Sequence, residues 1–83
     1  MINDKYAMIS GIIKGINVSN GKKSLLIVDN KGFEYIFFIN EHTIIMTFED
    51  LKVGQRVDII FNGILTRSIP PQGNAIIVNG LKV

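Results

Sequence analysis

Apolar positions recur along this chain at strand-like spacing. Residues 6–16 (YAMISGIIKGI) are apolar and β-branched, interrupted by Gly11 and Gly15. That is too much glycine for a helix. The pattern predicts a long, bent first strand in which the glycines allow a bulge or a sharp coil. Ser19-Asn20-Gly21-Lys22 predicts a tight hairpin, since Asn-Gly accepts positive φ angles. Residues 24–29 (SLLIVD) form a second strand, and Asp29-Asn30-Lys31-Gly32 a turn with glycine in last place. Residues 33–40 (FEYIFFIN) form a third. Apart from Glu34, both of its faces are apolar or aromatic, so it is expected to lie centrally. Residues 43–46 either extend it or pair elsewhere.

The pattern changes at Thr47. Thr47 and Asp50 resemble a capping box, and Met46 and Leu51 flank it as a hydrophobic staple. One short helical turn is predicted before Gly54, which then supplies a left-handed turn into the next strand. Residues 55–61 (QRVDIIF) alternate around Val57, Ile59 and Phe61, the pattern of a half-buried strand. Asn62-Gly63 is a second Asn-Gly turn. Residues 64–73 carry Ile69-Pro70-Pro71-Gln72-Gly73, and the prolines bar them from a central strand. Residues 74–83 (NAIIVNGLKV) form a last strand bent at Asn79-Gly80. The order β-β-β, short helix, β-β predicts an all-β domain with one short helix, a five-stranded OB-fold-like barrel. The alternative is an SH3-like barrel, in which the helical turn falls late. Closing the sheet also removes the exposed edges of so apolar a chain.

Composition narrows the picture. Eighty-three residues make one domain, 1–83, with a thin core. Sixteen isoleucines dominate the apolar set, and their branched side chains favour strands. Ile, Asn and Lys are plentiful, as in proteins of AT-rich bacterial genomes. The absence of cysteine removes disulfides, thiolate catalysis and zinc–thiolate sites. A net charge of +2, with the basic residues scattered, gives no basic stripe for nucleic acid. No apolar run reaches the ~18 residues of a membrane-spanning helix. The first residues, MINDKYAMIS, lack the basic and apolar regions of a signal peptide. As written the chain reads as cytoplasmic, and as extracellular or membrane-anchored where a leader precedes Met1.

Three groups of residues carry a resemblance. They are Phe48-x-Asp50-Leu51-Lys52-Val53-Gly54-Gln55-x-Val57, then Phe61-x-Gly63, then Pro70-x-Gln72-Gly73-x-Ala75. With weaker similarity through Gly11 to Val28, the chain resembles the YobA-like proteins of Gram-positive bacteria, a domain family of unknown function. The resemblance implies a small β-barrel with no established activity. Many members look secreted or lipid-anchored. Members tend to carry an aromatic residue before the first proline, where this chain has Ile69.

No constellation of residues points to catalysis, a metal or a cofactor. His42 is the only histidine and has only Glu41 beside it, without ligand spacing. Glu49 and Asp50 are adjacent, face different directions and suit a helix N-terminus. Asp29 reads as a turn residue and Asp58 as a strand-exterior one. Asn17-Val18-Ser19 matches a glycosylation acceptor by chance composition. Two surface readings remain. Arg67, Pro70, Pro71 and Gln72 form a candidate partner-binding loop, stiffened by its prolines, one of whose preceding bonds could be cis. The ordinary reading of that loop is a rigid crossover that positions the last strand. Phe33, Tyr35 and Phe37 share one face of the third strand, Phe38 lies on the other, and Lys14, Lys22, Lys23 and Lys31 sit near the first turns. Phe33, Tyr35 and Phe37 with Lys14, Lys22 and Lys23 make a candidate oligonucleotide face. The sequence thus leads to a monomeric, non-enzymatic accessory or binding module for a protein or cell-envelope component, without cofactor or membrane span. Single-stranded oligonucleotide binding is the alternative.

Overall fold

The first strand, β1 (Ala7–Ser19), runs through both glycines and is the longest element. In this computed structural model, which describes residues 5–81, it is followed by β2 (Lys22–Asp29), β3 (Glu34–Ile39), β4 (Ile44–Met46), β5 (Arg56–Phe61) and β6 (Gln72–Asn79). One sheet runs in the order β3-β2-β1-β5-β6-β4, and a parallel β3–β6 pairing closes it into a barrel. Five strands make the closed wall. β4 lies outside it, parallel to the C-terminal half of β6.

β1 serves both halves of the barrel. Its first half pairs with β5 and its second with β2, and the two pairings overlap at Gly11 and Ile12. Gly11 is needed there: a Cβ would press on the Val28 carbonyl oxygen and lie 2.8 Å from Ile27 Cγ2. A bulge between Ile13 and Gly15 then re-aims the strand. The Asn20-Gly21 hairpin forms as its sequence predicts, with φ of 53° and 75° at the two residues.

The core is the inward row of each strand. Ile13, Leu25, Ile27, Phe37, Val57, Ile59 and Val78 are fully buried, and Phe61 and Ala75 nearly so. Phe37 sits at its centre, edge-on to Phe61 at 5.0 Å and stacked with Tyr35 at 6.2 Å between ring centroids. The predicted alternation of Val57, Ile59 and Phe61 is borne out.

The short helix is not. Among the described residues there is no helix, and residues 47–53 form an open loop. Their neighbourhood satisfies backbone groups through other partners. Gly54 N–H donates to the Ile13 carbonyl at 2.8 Å, and Lys52 N–H to the Gln55 side-chain oxygen at 3.2 Å. A single turn pays the nucleation cost of a helix for one or two bonds. Here Phe48, 81% exposed, would gain no burial from it. Leu51 turns inward, onto the core, and Thr47 is half-buried beside Gly80. Gly54 does take the left-handed conformation, at φ 93°.

Residues 43–46 pair with β6 rather than extending β3. A turn at Asn40–Thr43 separates the two strands. Asn40 N–H donates to Thr43 Oγ1 at 3.0 Å, and the Thr43 hydroxyl donates to the Ala75 carbonyl at 2.8 Å. The last strand begins earlier than expected, at Gln72, and ends before Gly80. Residues 82 and 83 of the predicted strand lie outside the described residues.

Candidate binding face

Strand alternation fixes which side chains the barrel presents outward. Cross-strand register groups them into rows. Asn17, Ser24, Phe38 and Asn74 form one row, and Gly15, Leu26, Ile36 and Gln72 the next. Ile12, Val28 and Glu34 form a third. Lys14, the bulged residue of β1, reaches across this face and donates to Glu34 Oε2 at 2.7 Å. The centre of the face is therefore apolar, with amides, a hydroxyl and one ion pair around it.

The loop between β5 and β6 borders this face. Its base is tied by two bonds: Thr66 N–H to the Gln72 carbonyl at 2.8 Å, and Gln72 N–H to Thr66 Oγ1 at 3.0 Å. The Thr66 and Ser68 hydroxyls share a 2.6 Å hydrogen bond, and the Ser68 hydroxyl donates to the Pro70 carbonyl at 2.8 Å. Ile36 N–H donates to the Pro71 carbonyl at 2.9 Å, docking the loop onto β3. The Ile69–Pro70 peptide bond is cis. Pro70 forms one wall of a shallow depression lined also by Gly15, Ile16, Asn17, Ser24, Leu26 and Ile36. Ile69, 98% exposed, projects from the loop tip. A second depression farther along the face is lined by Lys22, Phe38, Ile39, Asn40 and Asn74.

The predicted loop residues are thus held together beside the face, with Arg67 exposed and Pro70, Pro71 and Gln72 half-buried. It is the main chain of Gln72 that ties the loop, with Thr66 as its partner; Thr66 had no signal in the sequence. The predicted oligonucleotide set is divided instead of gathered. Phe37 is wholly inside the core, so it cannot stack on a base. Tyr35 is on the same inward row, and Lys23 pairs with Ile39 at the barrel mouth. Phe33 is 61% exposed but lies in the β2–β3 turn, and only Lys14 and Lys22 reach the outer face. The outward aromatic is Phe38. A signal was present, since Glu34 and Asn40 fall on the same alternating row as Phe38, but the aromatic count on the other row, Phe33, Tyr35 and Phe37, drew the reading there instead.

Two carboxylates are occupied by structure. Asp29 Oδ1 accepts from the Lys31 and Phe33 N–H groups, each at 2.9 Å, and the Tyr35 hydroxyl donates to Oδ2 at 3.3 Å. Partial desolvation pushes the Asp29 carboxyl up. The Phe33, Lys31 and Tyr35 hydrogen bonds and the Lys31 charge outweigh it and hold Asp29 below its ordinary range. Burial, followed by the charge and hydrogen bond of Asp29, raises Tyr35. Asp58 lies on the outer face of β5 yet is nearly covered, and accepts from the Ser10 hydroxyl at 2.5 Å. The strand-exterior position read from the sequence is correct, but the side chain is covered there rather than solvated. His42 is exposed in the Asn40–Thr43 turn, and Glu49 and Asp50 are exposed in the loop that replaces the helix. Among the described residues no three His, Cys, Asp or Glu side chains converge as metal ligands, and no helix is long and apolar enough to cross a membrane. No protein-family model, curated protein or solved structure matches the chain.

Proposed function

We infer that the protein is a non-enzymatic binding module on an OB-type barrel, and that it docks an extended, apolar protein segment on the outer face of β1–β2–β3. The carrying observation is the rigid loop that sets Pro70 beside Leu26 and Ile36 while leaving Ile69 free. The OB-type reading rests on the pairing order: a bent first strand shared by two half-barrels, and a third and a last strand closing in parallel. Membership of the YobA-like family is part of the same proposal. The residues that carry that resemblance have jobs in the fold: Gly54 and Gly63 take positive φ, and Val57, Phe61, Gly73 and Ala75 are buried.

The second reading, single-stranded oligonucleotide binding, is favoured by one feature, the depression shared by Phe38 and Lys22. Its reach is small. One aromatic contributes about 1–3 kcal/mol for one stacked base. Lys14 is already paired with Glu34, so Lys22 alone offers a salt slope of about −0.7. An apolar floor suits a protein segment better.

Selection of displayed random peptides on the immobilised protein tests the choice. Apolar extended sequences are expected, bound more weakly by about tenfold or more when Ile69 is changed to Asp, since a well-packed anchor contributes over 1 kcal/mol. Selected peptides indifferent to Ile69→Asp would remove the face assignment. Salt-dependent binding of oligothymidine below ~100 μM, lost on Phe38→Ala, would install the second reading instead.

A further inference from the structure

Ser24 differs from the other polar residues of the outer face. It stands in the outward row Asn17, Ser24, Phe38, Asn74, yet it is only 9% exposed. Asn17 and Asn74, on the same row, are exposed, so water serves their amides. Ser24 instead borders the depression beside Pro70, together with Leu26 and Ile36. Among the described residues no group hydrogen-bonds its hydroxyl, and the oxygen is not sealed off from solvent. Its open side is therefore the depression.

We propose that the Ser24 hydroxyl is the hydrogen-bonding subsite of the binding face, and that it holds a main-chain amide of the docked segment. This rests on the reading of the face as a site for an extended apolar segment. The lining selects the chemistry. No charged residue borders the depression, so a charged group entering it would lose water without gaining a counter-charge. Leu26, Ile36 and Pro70 suit apolar side chains. A segment that covers them also takes Ser24 out of water, and a hydroxyl left unpaired there costs affinity. The segment must supply the partner. The polar groups that every apolar segment carries are its main-chain N–H and C=O. A serine hydroxyl both donates and accepts, so it can pair with the amide through either group. The bond then fixes which residue of the segment lies over Leu26 and Ile36, and so sets its register on the face.

Peptides selected on the wild-type protein are the probe. Ser24→Ala should weaken their binding about tenfold, the loss expected when a covered peptide group is left unpaired. It should leave the urea midpoint unchanged, because the hydroxyl bonds no group of the free protein. Replacing the peptide amides by esters, one at a time, removes each N–H and weakens each carbonyl. At one position the ester should weaken binding to wild type and have little further effect on binding to Ser24→Ala. That coupling places the amide on Ser24. A lowered urea midpoint would make Ser24 a structural residue and overturn the subsite. So would wild-type affinity in Ser24→Ala, ester losses equal in the two proteins at every position, or coupling to a polar peptide side chain instead of an amide. Ile69→Asp separates these failures from failure of the face. If it still weakens the peptides, the face stands and only the subsite falls; if it has no effect, both fall.

Discussion

Asp29 is the residue at which local sequence and local structure agree most closely. Its place at the head of Asp29-Asn30-Lys31-Gly32 announces a turn, and the carboxylate accepts the N–H of Lys31 within that turn and of Phe33 just after it. Asp58 is the opposite case. Nothing within several residues marks it as covered, because its hydrogen-bond partner Ser10 lies 48 positions away. The difference has a consequence in acid. Asp29 is held below its ordinary value of 3.8, so the ionised form is favoured by folding. The stability it adds is present above 3.8 and is lost as pH falls through the lowered folded-state value. Asp29→Asn keeps an acceptor oxygen for the turn but removes the titration. Thermal unfolding followed from neutral pH into acid is expected to show a shallower loss for the variant below about pH 4. Identical acid slopes would mean that Asp29 is not linked to folding.

Among the elements, those with their own turn chemistry were legible. Asn20-Gly21, Gly32, Gly54 and Gly63 all adopt positive φ and delimit strands close to their predicted places. The helix failed because its signal was one of local propensity, weak beside the long-range bond from Gly54 to Ile13 and the local bond from Lys52 to the Gln55 side chain. The consequence is a split between neighbours. In a capped helix Asp50 would hold an N-terminal donor, and its removal would cost about 1 kcal/mol. In the open loop Asp50 is exposed, whereas Leu51 packs on the core. Asp50→Ala is therefore expected to change unfolding free energy by less than about 0.5 kcal/mol. Leu51→Ala should lower it by about 2 kcal/mol, the lower end for a leucine truncation because the side chain is only half-buried. Urea titration of the two variants decides this, and equal losses would restore the capped turn.

At the scale of the whole barrel, the five strands of the wall were legible because each turn announces itself; β4 as a separate strand was not, and the outward row of β3 was marked only by Glu34 and Asn40 at its two ends. Phe37 and Phe38 are adjacent, equally apolar and set on opposite sides of the wall by the pleat of β3, and closure of the barrel turns Phe37 inward. That closure gives them separate consequences. Phe37 touches both halves of the core through Tyr35 and Phe61. Phe37→Ala should cost about 3–5 kcal/mol. That is a large share of the ~5–15 kcal/mol that holds an ordinary domain, so the variant is expected to be marginal or unfolded. Phe38 is half-buried on the face beside Asn74 and Lys22. Phe38→Ala should leave the unfolding transition cooperative and shifted by no more than about 1–2 kcal/mol, while weakening whatever docks there by a comparable or larger amount. Measuring urea midpoint and peptide affinity on both variants assigns the two faces independently. A Phe38→Ala protein as unstable as Phe37→Ala would make Phe38 a core residue, leaving the outer face without its one aromatic anchor.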